Sequence, residues 1–196
     1  MPYRVVLLAL ALAVPTVAVA AERPNAFARE EAGDVDGGLD LVRTALAVGA
    51  DGRLRAELTM SAAWTAASLR GSGEGPPPSA CMRLYTKRDP TADVPDYLVC
   101  AFPSATDDKG YTARVMRERR NAPPKKVAAA TPSRPTTRTL YLRFRPKAIG
   151  DPARVRFAAE TTVPAPQCSS SQGCRDIVPN GSKTVVLRLR PTSSDR

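Results

Sequence analysis

Apolar and polar residues alternate with a period of two through much of the chain. In RLRAELTM, residues 53–60, Leu54, Ala56, Leu58 and Met60 fall on one side and Arg53, Arg55, Glu57 and Thr59 on the other, as in a half-buried strand. LDLVRTALAV precedes it, and Asp51 and Gly52 between them suit a tight hairpin turn. CMRLYT and DYLVC read as a second hairpin around the loop 87–96, and YTARVMRER as a strand with an exposed basic side. RTLYLRFR places Leu140, Leu142 and Phe144 inward and Tyr141, Arg143 and Arg145 outward, while RVRFAAET buries Val155 and Phe157. KTVVLRLR, entered from the Asn180 and Gly181 turn and stopped by Pro191, is the last strand.

Between these runs the chain is punctuated. SAAWTAASL is either one helical turn or a bend burying Trp64, and GSGEGPPPS is loop. The segment 120–126 reads as loop because Pro123 and Pro124 bar a central strand, and PKAIGDP reads as a helical turn ended by Gly150. About eight strands at this spacing predict an all-β fold, an antiparallel two-sheet β-sandwich of immunoglobulin-like or jelly-roll-like type.

The opening of the chain has a different rhythm. Arg4 is followed by the apolar run 5–14, Pro15 interrupts it, and Ala18 and Ala20 form a small-residue cleavage pattern. That predicts a signal peptide over residues 1–20, cut near Ala20, and a secreted or extracytoplasmic protein. The run falls short of the roughly 20 residues a membrane span needs, and no later segment reaches that length. A flexible charged lead-in over 21–36, a single domain over 37–191 and a disordered tail over 192–196 complete the expected organisation.

Four cysteines, Cys81, Cys100, Cys168 and Cys174, are an even number in an exported chain and read as a disulfide framework. Of three possible pairings, the local one joins Cys81 to Cys100 across the hairpin and Cys168 to Cys174 around CSSSQGC. Each would contribute on the order of 2 to 3 kcal/mol.

Charge is unevenly spread. Residues 22–80 carry a net −3 and residues 81–196 a net +12. Much of the excess sits at outward strand positions, Arg143 and Arg145, Arg154 and Arg156, Arg188 and Arg190. If their three strands are neighbours, one sheet presents a ladder of guanidinium groups. Such a face attracts polyanions in a salt-dependent way, although the same charges also keep a sheet soluble. Nucleic-acid recognition is not expected, because MRERR and NAPPKK carry no interleaved aromatics. Tyr141, predicted outward, is the candidate platform for stacking a sugar.

The chain has no histidine. That removes histidine-based triads and histidine-ligated zinc, and oxidised cysteines leave no thiolate nucleophile. Paired carboxylates survive as a catalytic possibility, from among Glu57, Glu118, Glu160, Asp96 and Asp176. For a metal, calcium is the candidate: Asp89, Asp93 and Asp96 cluster in one loop, and Asp34, Asp36 and Asp40 in another. No other cofactor is expected.

GGLDLVRTALAVGADGRLRAELTMSAAW, PDYLVC, RTLYLRFRPKAIGDPARVRFAAET and CRDIVPNGSKTVVLRLR together resemble a group of exported bacterial β-sandwich proteins. They are more distantly similar to extracellular modules of the DOMON and carbohydrate-binding type. The likeness is one of strand rhythm, and it implies a sandwich with sugar binding as an open role. The histidine and methionine that ligate haem in cytochrome-type DOMON modules cannot both exist here. The expected function is a non-catalytic module that binds an extracellular or cell-envelope partner through its basic sheet face, with an anionic polysaccharide as the candidate partner. The alternatives are a carboxylate-based glycan hydrolase and a structural envelope module with no small ligand.

Overall fold

A computed structural model describes residues 26–31, 33, 35, 37–70, 77–87, 93–163 and 174–189. The segment 1–20, its cleavage point, the tail 192–196, and Asp34, Asp36, Asp89, Cys168 and Arg190 lie outside the described residues.

The described residues form eleven strands: β1 (Ala26–Arg29), β2 (Leu41–Val48), β3 (Leu54–Met60), β4 (Ser79–Tyr85), β5 (Tyr97–Pro103), β6 (Tyr111–Arg119), β7 (Ala122–Ser133), β8 (Thr139–Phe144), β9 (Arg154–Val163), β10 (Cys174–Val178) and β11 (Val185–Arg188). All pair antiparallel in an open path ordered β1-β2-β3-β8-β7-β6-β5-β4-β9-β10, with β11 also on β9. The three strands beyond the expected eight are β1, β7 and β10. β1 comes from the charged lead-in, and β7 runs straight through Pro123 and Pro124.

Those prolines are tolerated because of where β7 lies. Ala122–Ala130 pairs with β6 on one edge only, and just Thr131–Ser133 at the other end pairs with β8. Proline cannot donate to a ladder, so an edge is where a strand can hold it.

Turn chemistry follows the sequence closely. Gly52 has φ 71° in the β2–β3 hairpin, where the Gly49 N–H donates to Arg53 O at 2.7 Å. Gly150 has φ 82° and closes the 3-10 turn Pro146–Ile149, a backbone state that favours glycine. Trp64 is buried ahead of the 3-10 turn Ala66–Leu69, its ring edge-on to Tyr111 with centroids 5.5 Å apart.

Inward residues from both ends of the strand path share one core: Leu46, Leu58, Leu142 and Phe144 from one end, and Met82, Val99, Val115 and Phe157 from the other. The path curls so that β2 lies against β9 and β10. Thr44 Oγ1 donates to Met82 Sδ at 3.7 Å, Thr161 Oγ1 to Leu39 O at 2.7 Å, and the Leu41 N–H to Asp176 Oδ2 at 2.5 Å. Cys81 and Cys100 are directly opposed on β4 and β5 and bonded, with Cα atoms 4.1 Å apart. Cys174 is also disulfide-bonded.

Candidate functional site: a cationic groove at the hairpin ends

Because β9, β4, β5, β6 and β7 are consecutive neighbours, the end of β4, the start of β5, the end of β6, the start of β7 and the start of β9 come out at one end of the sheet. There a groove of about 650 Å³ is lined by Tyr85, Lys87, Asp93, Asp96, Tyr97 and Arg156, and by Arg117, Glu118, Arg119 and Arg120. Among the described residues, five cations thus face three carboxylates.

The groove wall is held by its own polar groups. Asp96 Oδ2 accepts the Thr86 N–H at 2.9 Å, the Thr86 hydroxyl at 3.2 Å and the Lys87 N–H at 3.1 Å, while Oδ1 pairs with Lys87 Nζ at 2.7 Å. Burial pushes the Asp96 carboxyl up, but these bonds and the Lys87 charge together hold it below the usual aspartate value. The Asp93 carbonyl accepts from Arg83 at 2.7 Å and from the Tyr85 hydroxyl at 3.3 Å. At the β6–β7 tip, Asn121 takes φ 62°, and Arg119 donates twice to Pro123 O, at 2.8 and 2.6 Å.

Tyr85 forms the floor. Its ring is 5% exposed and meets the Arg156 guanidinium at 5.0 Å and that of Arg83 at 5.8 Å, so it serves to brace arginines and has little face left for a sugar. Burial raises the phenol above its ordinary pKa, against the opposing pull of Arg83.

The arginine pairs read from the sequence are separated. Arg154 and Arg188 are opposed on β9 and β11, and Arg156 is opposite Val186 on one side and Tyr85 on the other. β8, which carries Arg143, is a neighbour of neither strand. A continuous three-strand ladder is therefore not formed: the topology inserts β7, β6, β5 and β4 between β8 and β9. Arg143 is opposite Arg55 and Thr131, and Arg145 stands at the start of the 3-10 turn. Of the five described, the groove takes Arg156.

The polar side of β3 also departs from simple alternation. Arg55 and Glu57 are only 8% and 5% exposed although they fall on the polar side. Arg43 donates to Glu57 from β2, and Arg55 lies over the Tyr141 ring at 4.7 Å, so the long side chains cover one another. Tyr141, opposite Glu57, is engaged in this cluster.

The carboxylates are dispersed. Glu160 lies 3.6 Å from Arg83 and 4.0 Å from Arg175, Asp176 holds the Leu41 N–H, and of the five catalytic candidates Asp96 and Glu118 share the groove, with Asp93 beside them. Among the described residues, no group of three or more histidine, cysteine, aspartate or glutamate side chains is placed to hold a metal. No described helix is long and apolar enough to cross a membrane.

Sequence reasoning did not single out Tyr85, Lys87, Arg117, Arg119 and Arg120. The run MRERR carried the charge of the three arginines, but alternation puts Arg117 and Arg119 on the side of the buried Tyr111, Ala113 and Val115. What the run lacked was the strand order that brings them to Arg156. No family model, curated protein or solved structure matches the chain.

Proposed function

We propose that this protein is a non-catalytic, extracytoplasmic module of two packed β-layers that binds an anionic glycan in the cationic groove at its hairpin ends. The observation that carries this reading is the convergence there of Arg156, braced on Tyr85, with Arg117, Arg119 and Arg120 from the neighbouring hairpin. Guanidinium groups present planar forks that pair with carboxylates and sulfates in two-pronged fashion. A groove that gathers several suits a repeating acidic polymer better than a single small anion.

A hydrolytic role for the same groove would draw on Asp96 and Glu118. Asp96 has both oxygens committed to Thr86 and Lys87, which favours an anchor for the groove wall over an acid, a nucleophile or a calcium ligand. The signal-like leader of the sequence and the disulfides suit an oxidising compartment.

The test is binding to polygalacturonate and heparin, with neutral dextran as the control, across a salt series from about 50 to 200 mM. The acidic polymers should be retained at low salt and released as salt rises. Arg117→Glu, Arg119→Glu and Arg120→Glu together should weaken binding at least about tenfold, or 1.4 kcal/mol. Equal retention on dextran, or no retention at low salt, would overturn the reading.

A further inference from the structure

The open edge of β7 lies on the side where β8 pairs further along the strand. β8 occupies that edge beside Thr131–Ser133, and then Pro146 takes the chain into the 3-10 turn Pro146–Ile149. Beside Ala122–Ala130 the slot that β8 would have continued into is vacant among the described residues. An edge of nine residues spans roughly 30 Å, enough to pair a full additional strand.

The edge is guarded unevenly. Toward the tip stand Pro123, Pro124, Lys125 and Lys126, residues that discourage strand pairing. From Val127 onward the sequence is VAAAT, with no proline or charge, and Val127 is 43% exposed. Val127 is the extra residue of a bulge: Val115 is opposite Ala128 while Met116 is opposite Lys126.

A second groove, of about 420 Å³, runs along this unguarded part. Val127, Ala128, Ala129 and Thr131 form one wall, and Arg53, Arg143, Arg145 and Lys147 supply the charge of the other. Among the described residues, no carboxylate lines it. Arg143, Arg145 and Lys147 make no ion pair among the described residues, whereas Arg53 lies 3.4 Å from Asp51. The apolar floor, Phe144 and Ala148, lies between the cations.

We propose that the β7 edge accepts an extended acidic segment of another protein as an added strand. The backbone of Val127–Ala130 would supply the ladder bonds, and Arg143, Arg145 and Lys147 would pair with carboxylates on alternate residues of the guest. In this mode main-chain hydrogen bonds give affinity and the alternate side chains give selectivity. A second copy of this chain is a poor guest, because its β7 edge would bring Lys125 and Lys126 and no carboxylate to a groove lined by Arg143, Arg145 and Lys147. This surface is separate from the glycan groove, so either proposal stands without the other.

The probe is a fluorescein-labelled eight-residue peptide of alternating valine and glutamate, titrated with the whole protein by anisotropy. A matched peptide N-methylated at alternate backbone amides keeps the charge but cannot complete a ladder. The parent peptide should bind at least tenfold more tightly than the methylated one, and should slow amide hydrogen exchange within residues 122–130. R143E combined with R145E should lower its affinity by a similar factor. Equal affinity for the two peptides would reduce the site to non-specific charge attraction and overturn strand addition. So would absence of binding, or protection of this edge by self-association without peptide.

Discussion

The Asp176 carboxylate accepts the Leu41 backbone N–H at 2.5 Å across 135 residues of chain, and so ties the start of β2 to the middle of β10. Asp176 is 1% exposed and Leu41 is fully buried. Asp176→Ala leaves a buried N–H without its acceptor and should destabilise the fold by roughly 1 to 3 kcal/mol. Asp176→Asn keeps an acceptor oxygen and should lose less. Urea unfolding of the two variants against the parent gives both differences.

The bond between Cys81 and Cys100 closes a loop of sequence separation 19. Loop-closure entropy then gives about 3 kcal/mol of stabilisation through the unfolded chain. Cys81→Ala with Cys100→Ala should lower the urea midpoint accordingly, leaving the far-ultraviolet circular dichroism of the native state unchanged.

Asp96 supplies an acid-dependent share of stability. Its carboxyl is held below the ordinary value, so its contribution is complete above the unfolded aspartate pKa of about 4 and is lost as pH falls through the lower folded value. Melting temperatures measured from about pH 6 down to 2 should therefore fall more steeply for the parent than for Asp96→Asn. Identical slopes would show that the Lys87 and Thr86 contacts do not hold the ionised form.

Trp64 is the sole tryptophan, 1% exposed and edge-on to Tyr111. Trp64→Ala should remove about 3 to 5 kcal/mol. Trp64→Phe keeps an aromatic ring in the site and should remove less. Thermal unfolding followed by circular dichroism reads both without needing the lost indole fluorescence.

Alternation along one strand tells which side a residue takes, and that much was legible: Leu140, Leu142 and Phe144 are buried, and Arg143 is exposed. It does not tell which strands are neighbours. Arg143 and Arg154 look equivalent in the sequence, yet five strand-to-strand steps of the ladder separate β8 from β9. Arg55 and Glu57 fall on the polar side of the alternation, yet they are buried because Arg43 and Tyr141 close over them from adjacent strands. β7 was hidden by its prolines, which mark an edge here and not a loop. The basic groove depends on the same long-range order and was legible only as a run of cations in MRERR.

The ladder that joins β1, β2, β3 and β8 to the remaining strands passes through Thr131–Ser133 of β7, and Pro132 in the middle has no N–H to give. Side-chain packing across the shared core, rather than backbone bonding, must then carry most of the cohesion between the two groups of strands. Apolar packing of that kind weakens on cooling as well as failing on heating. The junction, more than either group alone, should set how this protein tolerates cold.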